Sequence, residues 1–206
     1  TGSPRILKPA NLYCHLYSAE HPGRLSTLQG LIRQWALEAE TAPVFASVYS
    51  MAVRSAVFGA RIHRTESGWL LRNWGECRSV RIDGERRAVD FARSTGVLGQ
   101  RRIGDALYIH LAQTDADLVL ADAPDPRPHV EQANHLLTGA RLGPKSIAFL
   151  SESLAARVIV LAGLPADTEL QLMIADQAHD RRSDAEGRLT LELPPGGPTP
   201  VSLSVP

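Results

Sequence analysis

Histidine carries most of the candidate chemistry in this chain. The seven histidines are His15, His21, His63, His110, His129, His135 and His179. Hydrolytic metal sites need two or three His, Asp or Glu ligands, brought together by close spacing or by neighbouring strand ends. None of the histidines forms an H-x-x-x-H or H-E-x-x-H pair, and the six-residue intervals from His15 to His21 and from His129 to His135 fit no ligand pattern. The G-x-S-x-G elbow, the phosphate-binding loop and G-x-G-x-x-G are also absent. His15 stands apart by its position. It lies in the apolar run Asn11-Leu12-Tyr13-Cys14-His15-Leu16-Tyr17, which leads into the loop Glu20-His21-Pro22-Gly23. In α/β folds, residues at the carboxyl ends of strands reach the active site. The residues alone leave two readings open: a functional group at a strand end, or a core histidine bonded to a backbone carbonyl. For sugar recognition the flat aromatic candidates are Trp69, Trp74 and Tyr108. Trp69 alternates with Leu71 and reads as core. Trp74 sits in the turn Asn73-Trp74-Gly75, where burial is harder, and is the better platform.

These side chains need elements to position them, and the elements change character near residue 57. Before it, the apolar run around His15 suits a strand buried on both faces. Leu25, Leu28, Leu31, Ile32, Trp35 and Ala39 recur at helical spacing. Val44 to Ala46 reads as a second short strand, and Ser47 as the N-cap of a helix to about Ala56. This β-α-β-α order is that of an α/β layer or barrel. After it the period falls to two. Ala60 to His63, Trp69 to Arg72 and Cys77 to Ile82 read as successive hairpin strands, and seven more short strands follow between Ala106 and Val205. Val89 to Val97 fits neither period and reads as an insert. The Pro-rich stretches 123–128 and 194–200 read as loops or linkers, and the charged cluster 176–186 as a solvated hairpin loop. The expected fold is mixed: mainly an antiparallel β-sandwich over 57–206, preceded over 1–56 by a partial α/β segment too small to stand alone.

Length and composition agree with a globular chain. Its 206 residues are 44% hydrophobic, with 22 basic against 22 acidic side chains. Zero net charge removes the usual electrostatic reason to expect nucleic acid or an anionic membrane surface as a partner. No apolar run is long enough for a membrane span. Cys14 and Cys77 allow one disulfide at most. The chain opens on Thr1 without Met, as a fragment or processed product would.

The segment Arg5-Ile6-Leu7-Lys8-Pro9-Ala10-Asn11-Leu12-Tyr13-Cys14-His15-Leu16-Tyr17-Ser18, with Pro43-Val44-Phe45-Ala46-Ser47-Val48-Tyr49, resembles the late part of the deacetylase region of PelA-type proteins. These are the bifunctional glycoside hydrolase and polysaccharide deacetylase proteins of Pel exopolysaccharide biosynthesis. Asp90 to Val97, Tyr108 to Leu111 and Arg127 to Asn134 are similar to its downstream part. The resemblance implies a NodB-like deacetylase barrel ending in this chain and followed by an accessory sandwich. It also implies a periplasmic setting and an acetylated amino-sugar polysaccharide of the biofilm matrix as substrate. In that chemistry, zinc or a similar divalent metal activates water, an Asp acts as base, and a His protonates the departing amine. His15 matches that histidine, and Tyr17 is implied beside it as a substrate contact. The metal ligands would lie upstream, so the implied fragment holds no metal and is inactive alone. Its implied partners are polysaccharide, the upstream deacetylase domain and a protein of the export machinery. Cys14 and Leu16 stand where the family has aromatic residues. The other reading is a non-catalytic module that binds carbohydrate or protein.

Overall fold

The computed structural model of the chain describes residues 20–36 and 44–205. The chain divides into two compact units, Thr1–Glu38 and Ala39–Pro206. In the first, helix α1 runs Pro22–Ala36. Proline suits its first position, where the missing N–H would have had no helical partner. The expected strand around His15 lies outside the described residues.

The second unit opens with helix α2, Ala46–Arg54, followed by a wide turn over Ser55–Gly59. Val44 and Phe45 lead directly into α2, so the expected short strand there does not form, and Ser47 lies inside the helix instead of capping it. No described helix is long and apolar enough to cross a membrane.

Beyond the Ser55–Gly59 turn the regular elements among the described residues are all strands, and their arrangement is that of antiparallel β-sandwiches. Two sandwiches follow one another along the chain. The first holds β1 (Arg61–Arg64), β2 (Gly68–Arg72), β3 (Ser79–Asp83), β4 (Ala88–Val89), β5 (Val97–Ile103), β6 (Ala106–Leu111) and β7 (Ala116–Ala121). The second holds β8 (His129–Ala133), β9 (Leu137–Leu142), β10 (Ser146–Ser153), β11 (Arg157–Ala162), β12 (Glu169–Ile174), β13 (Gln177–Arg182), β14 (Leu189–Leu193) and β15 (Gly196–Ser204). Sheet order is β1-β2-β7-β4, β13-β12-β15-β10-β9 and β14-β11-β8-β5-β6-β3. The last sheet belongs to both sandwiches. Its β5 sends Val97 into the smaller core with Leu71, Leu107 and Ile109, and Leu98 into the larger core with Val130, Ile159 and Leu203. Successive side chains of a strand face opposite ways, so one strand can serve both cores. The Pro-rich stretch 123–128 is therefore the link between two cores, where the period-two pattern alone had pointed to a single sandwich.

At the joint, β5 and β8 are parallel and share the pairing Gly99↔Val130. A Cβ on Gly99 would lie 1.8 Å from the Val130 carbonyl oxygen, so only glycine lets β8 cross there. Gly163, at φ +72°, similarly admits the link, since its Cβ would meet Arg127 O at 2.2 Å. Asp125 pins the link by accepting from Ala92 N and Arg127 N, both at 2.9 Å. His129 stacks on Phe91 across the joint, with ring centroids 4.7 Å apart. Gly99→Ala is expected to cost about 1–3 kcal/mol as overpacking. Gly197→Ala, with open space around it, should stay within about 0.5 kcal/mol. Thermal unfolding of the two variants checks this, and equal midpoints would remove the close crossing from the account.

One expected hairpin is absent. β1 and β2 pair, but β2 continues to β7 while β3 pairs with β6 in the other sheet. The chain turns between sheets at Asn73 and Gly75, with φ of 57° and 59°.

Candidate functional site

The polar groups best arranged for chemistry lie at one end of the larger core. Asn134 and His135 follow β8, Ser151 lies on β10, and Arg157 begins β11. Asn134 Oδ1 accepts from Val158 N at 2.9 Å while its Nδ2 donates to Ala156 O at 2.9 Å, which fixes the amide. That oxygen is also 2.9 Å from His135 Nδ1, so Nδ1 carries the proton. His135 Nε2 then accepts from the Ser151 hydroxyl at 2.8 Å. The order of hydroxyl, imidazole and orienting amide is that of an activated nucleophile.

Burial closes it to a substrate. Ser151 is 0% exposed and His135 4%. Burial, and then the nearby Arg157 charge, push His135 down to about 4, a weak base for removing a serine proton. Arg157, itself buried, ties the cluster into the fold: Nη1 donates to Ser151 O at 2.6 Å and to Thr199 Oγ1 at 2.9 Å, and Nε donates to Pro194 O at 2.8 Å. These bonds join β10, β11 and β15. The cluster satisfies buried polar groups at a sandwich end. The interval between His129 and His135 gave no sign of this network, because its partners come from other strands.

Of the sequence candidates, His15 and Tyr17 lie outside the described residues. Trp74 does not form the exposed face expected of a turn residue. It is 8% exposed and packs in the smaller core, because the turn carries the chain from one sheet to the other and drops the indole between them. Trp69 is half-buried against the same core, with the Arg64 guanidinium 5.6 Å from its ring centroid. Among the described residues no three His, Cys, Asp or Glu side chains converge as a metal site would require.

The remaining aromatic candidate, Tyr108, lies on a more accessible face. Along β6, Leu107, Ile109 and Leu111 enter the smaller core, so Tyr108 and His110 point to the opposite side. Arg81, paired with Tyr108 in register, holds its guanidinium 5.7 Å from the ring centroid and bonds Asp83 at 2.7 Å. Arg101, paired with Tyr108 from β5, bonds the Gln132 amide oxygen. His110 Nε2 and Arg78 Nη1 are buried without a hydrogen-bond partner. Burial, the Arg78 charge and His135 together push His110 down to about 4. A second feature is the open cleft of about 250 Å³ where the sandwiches meet, lined by Gln100, Arg102, His129, Glu131 and Arg188. Its polar groups are largely committed: Glu131 pairs with Arg188 at 2.7 Å, and Gln100 Oε1 accepts from Val89 N at 2.8 Å. Comparison with protein-family models, curated proteins and solved structures found no match.

Proposed function

We propose that the paired sandwiches are a non-catalytic accessory region of a polysaccharide N-deacetylase, one that handles an acetylated amino-sugar exopolysaccharide in the periplasm during assembly of a biofilm matrix. The observation that carries the accessory reading is the closure of the Ser151–His135–Asn134 relay. The described hydroxyl and imidazole that are hydrogen-bonded as a nucleophile and base would be are bolted into a core. The half-exposed Tyr108 ring offers a surface for contact instead. The deacetylase part of the proposal rests on the resemblance of the Arg5 to Ser18 segment.

In this reading His15 donates the proton to the departing amine and Tyr17 contacts the sugar beside it. Zinc or a similar divalent cation, held by upstream residues, supplies the activated water. The sandwiches contact the polymer, the upstream domain and an export-machinery protein. In the protein that carries this chain behind its deacetylase domain, His15→Ala is expected to lower deacetylation about 10²–10⁴-fold, the usual worth of general acid catalysis. Polymer binding should be retained. Unchanged acetate release would remove His15 from the mechanism and favour a purely binding chain.

A further inference from the structure

Exposed apolar side chains are gathered on one short stretch of the chain. Eight of the thirteen large apolar side chains that are exposed among the described residues lie between Val44 and Ile62. Most belong to α2 and the wide turn after it, in which no residue is buried. Phe45 is 62% exposed, Val57 66% and Phe58 83%. Phe45, Tyr49 and Val53 recur at four-residue spacing and line one side of the helix, whereas Ser47, Ser50 and Arg54 line another. A helix of nine residues is too short to hold itself in water without a covered face. With no side buried, α2 stands as a ridge on the surface. Its base is fixed, since Ser55 sits against Gly75, where an added Cβ would come within 2.2 Å of Ser55 Oγ. The neutrality of the whole chain does not extend to this ridge. Residues 44–65 include Arg54, Arg61 and Arg64 but no Asp or Glu, and all three arginines are exposed.

We propose that this ridge seats on an anionic membrane surface, with Phe45, Val57 and Phe58 entering the boundary between headgroups and acyl chains and Arg54, Arg61 and Arg64 meeting the lipid phosphates. Apolar and aromatic side chains accompanied by cations, with no anion among them, are what a helix lying in the headgroup layer presents. A second copy of the chain would bring the same arginines face to face, which like charge opposes. A protein partner would need a groove shaped to the ridge, whereas a fluid lipid surface takes it without one. No described helix is long and apolar enough to cross a membrane, so the attachment is to one face of the bilayer. The proposal stands independently of the deacetylase reading: it needs neither His15 nor a metal.

Co-sedimentation of the 206-residue chain with phosphatidylcholine vesicles, with and without about 30% phosphatidylglycerol, tests it. The anionic vesicles are expected to bind the chain at least tenfold more tightly than the neutral ones. Joint substitution of Phe45→Ser and Phe58→Ser should weaken that binding at least tenfold, and joint substitution of Arg54→Gln and Arg61→Gln should remove the preference for anionic lipid. Leu154→Ser, which alters an exposed apolar residue outside the ridge, should change nothing. All four altered positions are exposed, and far-ultraviolet circular dichroism checks that each variant keeps the fold. Failure of the unaltered chain to bind anionic vesicles overturns the proposal, as does binding that survives the two phenylalanine substitutions or falls equally in Leu154→Ser. A dimer that forms without lipid and is lost with the phenylalanines, in a chain that ignores vesicles, overturns it and assigns the ridge to a second copy.

Discussion

Arg157→Ala is expected to lower the stability of the second sandwich by about 3–5 kcal/mol. The substitution removes donors to Ser151 O, Thr199 Oγ1 and Pro194 O at a site where Arg157 is 3% exposed. Each buried acceptor left without a partner costs about 1–3 kcal/mol. Water entering the space vacated by the side chain relieves part of that sum. Loss of a buried charge that has no carboxylate among its bonding partners offsets another part. The unpaired acceptors dominate because three strands lose their common tie at once. Arg157→Lys should fall between, since one ammonium cannot span the separate positions that the guanidinium fork reaches. Equilibrium urea unfolding measures this, and the sandwiches can be read apart. Trp69 and Trp74 both lie in the first sandwich and the second contains no tryptophan. The variant is thus expected to shift the far-ultraviolet circular dichroism transition more than the tryptophan fluorescence. A loss under about 1 kcal/mol would mean that Arg157 does not hold the strand ends together.

The second large effect is a loss of stability with acid between about pH 6.5 and 4. His110 and His135 each sit near 4 in the folded chain, against an ordinary value of 6.5. Within that window the unfolded chain binds protons that the folded chain refuses. Stability is therefore full above 6.5 and falls as pH drops toward 4, at up to about 1.4 kcal/mol per histidine for each pH unit. Glu85 adds a separate loss below about 4.5: hydrogen bonds from Arg87 hold its carboxyl at about 2, a contribution removed as the group protonates. Denaturant midpoints measured from pH 7.5 to 4.5 should show the histidine slope. His110→Gln should reduce it while leaving the rest, carried by His135. A flat profile across that range would contradict the buried, neutral assignment of both rings.

The legible parts of the fold were those written in single strands. Alternation placed Ala106 to Leu111 and Arg157 to Leu161 close to their observed bounds, because one face of each must meet a core. Pairing was less legible. The partner of β2 is β7, far along the sequence, and no local signal marks a strand that crosses to the other sheet. β13 was read as part of a solvated loop because it is an exposed edge strand of polar residues. Its hairpin with β12 turns through Ala175 and Asp176, both at positive φ. A turn of that kind is normally announced by Asn-Gly or Asp-Gly, and Ala-Asp gives no such notice. The division into two cores was hidden for a related reason: both sandwiches have the same period, and the joint depends on Gly99 admitting a strand from the other lobe.

Site residues followed the same logic. Trp74 was expected at the surface because turns usually are, but this turn lies between two sheets. The Ser151–His135–Asn134 relay joins a loop to a strand sixteen residues away and has no motif.

The central claim is that the sandwiches handle polymer and perform no chemistry on it. Its most direct test is to incubate the 206-residue chain, supplied with zinc, with a partly acetylated poly-amino-sugar, and to measure bound polymer and released acetate in the same samples. Bound polymer with acetate at the background level is the predicted result. Acetate release that is lost in Ser151→Ala, or on chelation of the zinc, would contradict it.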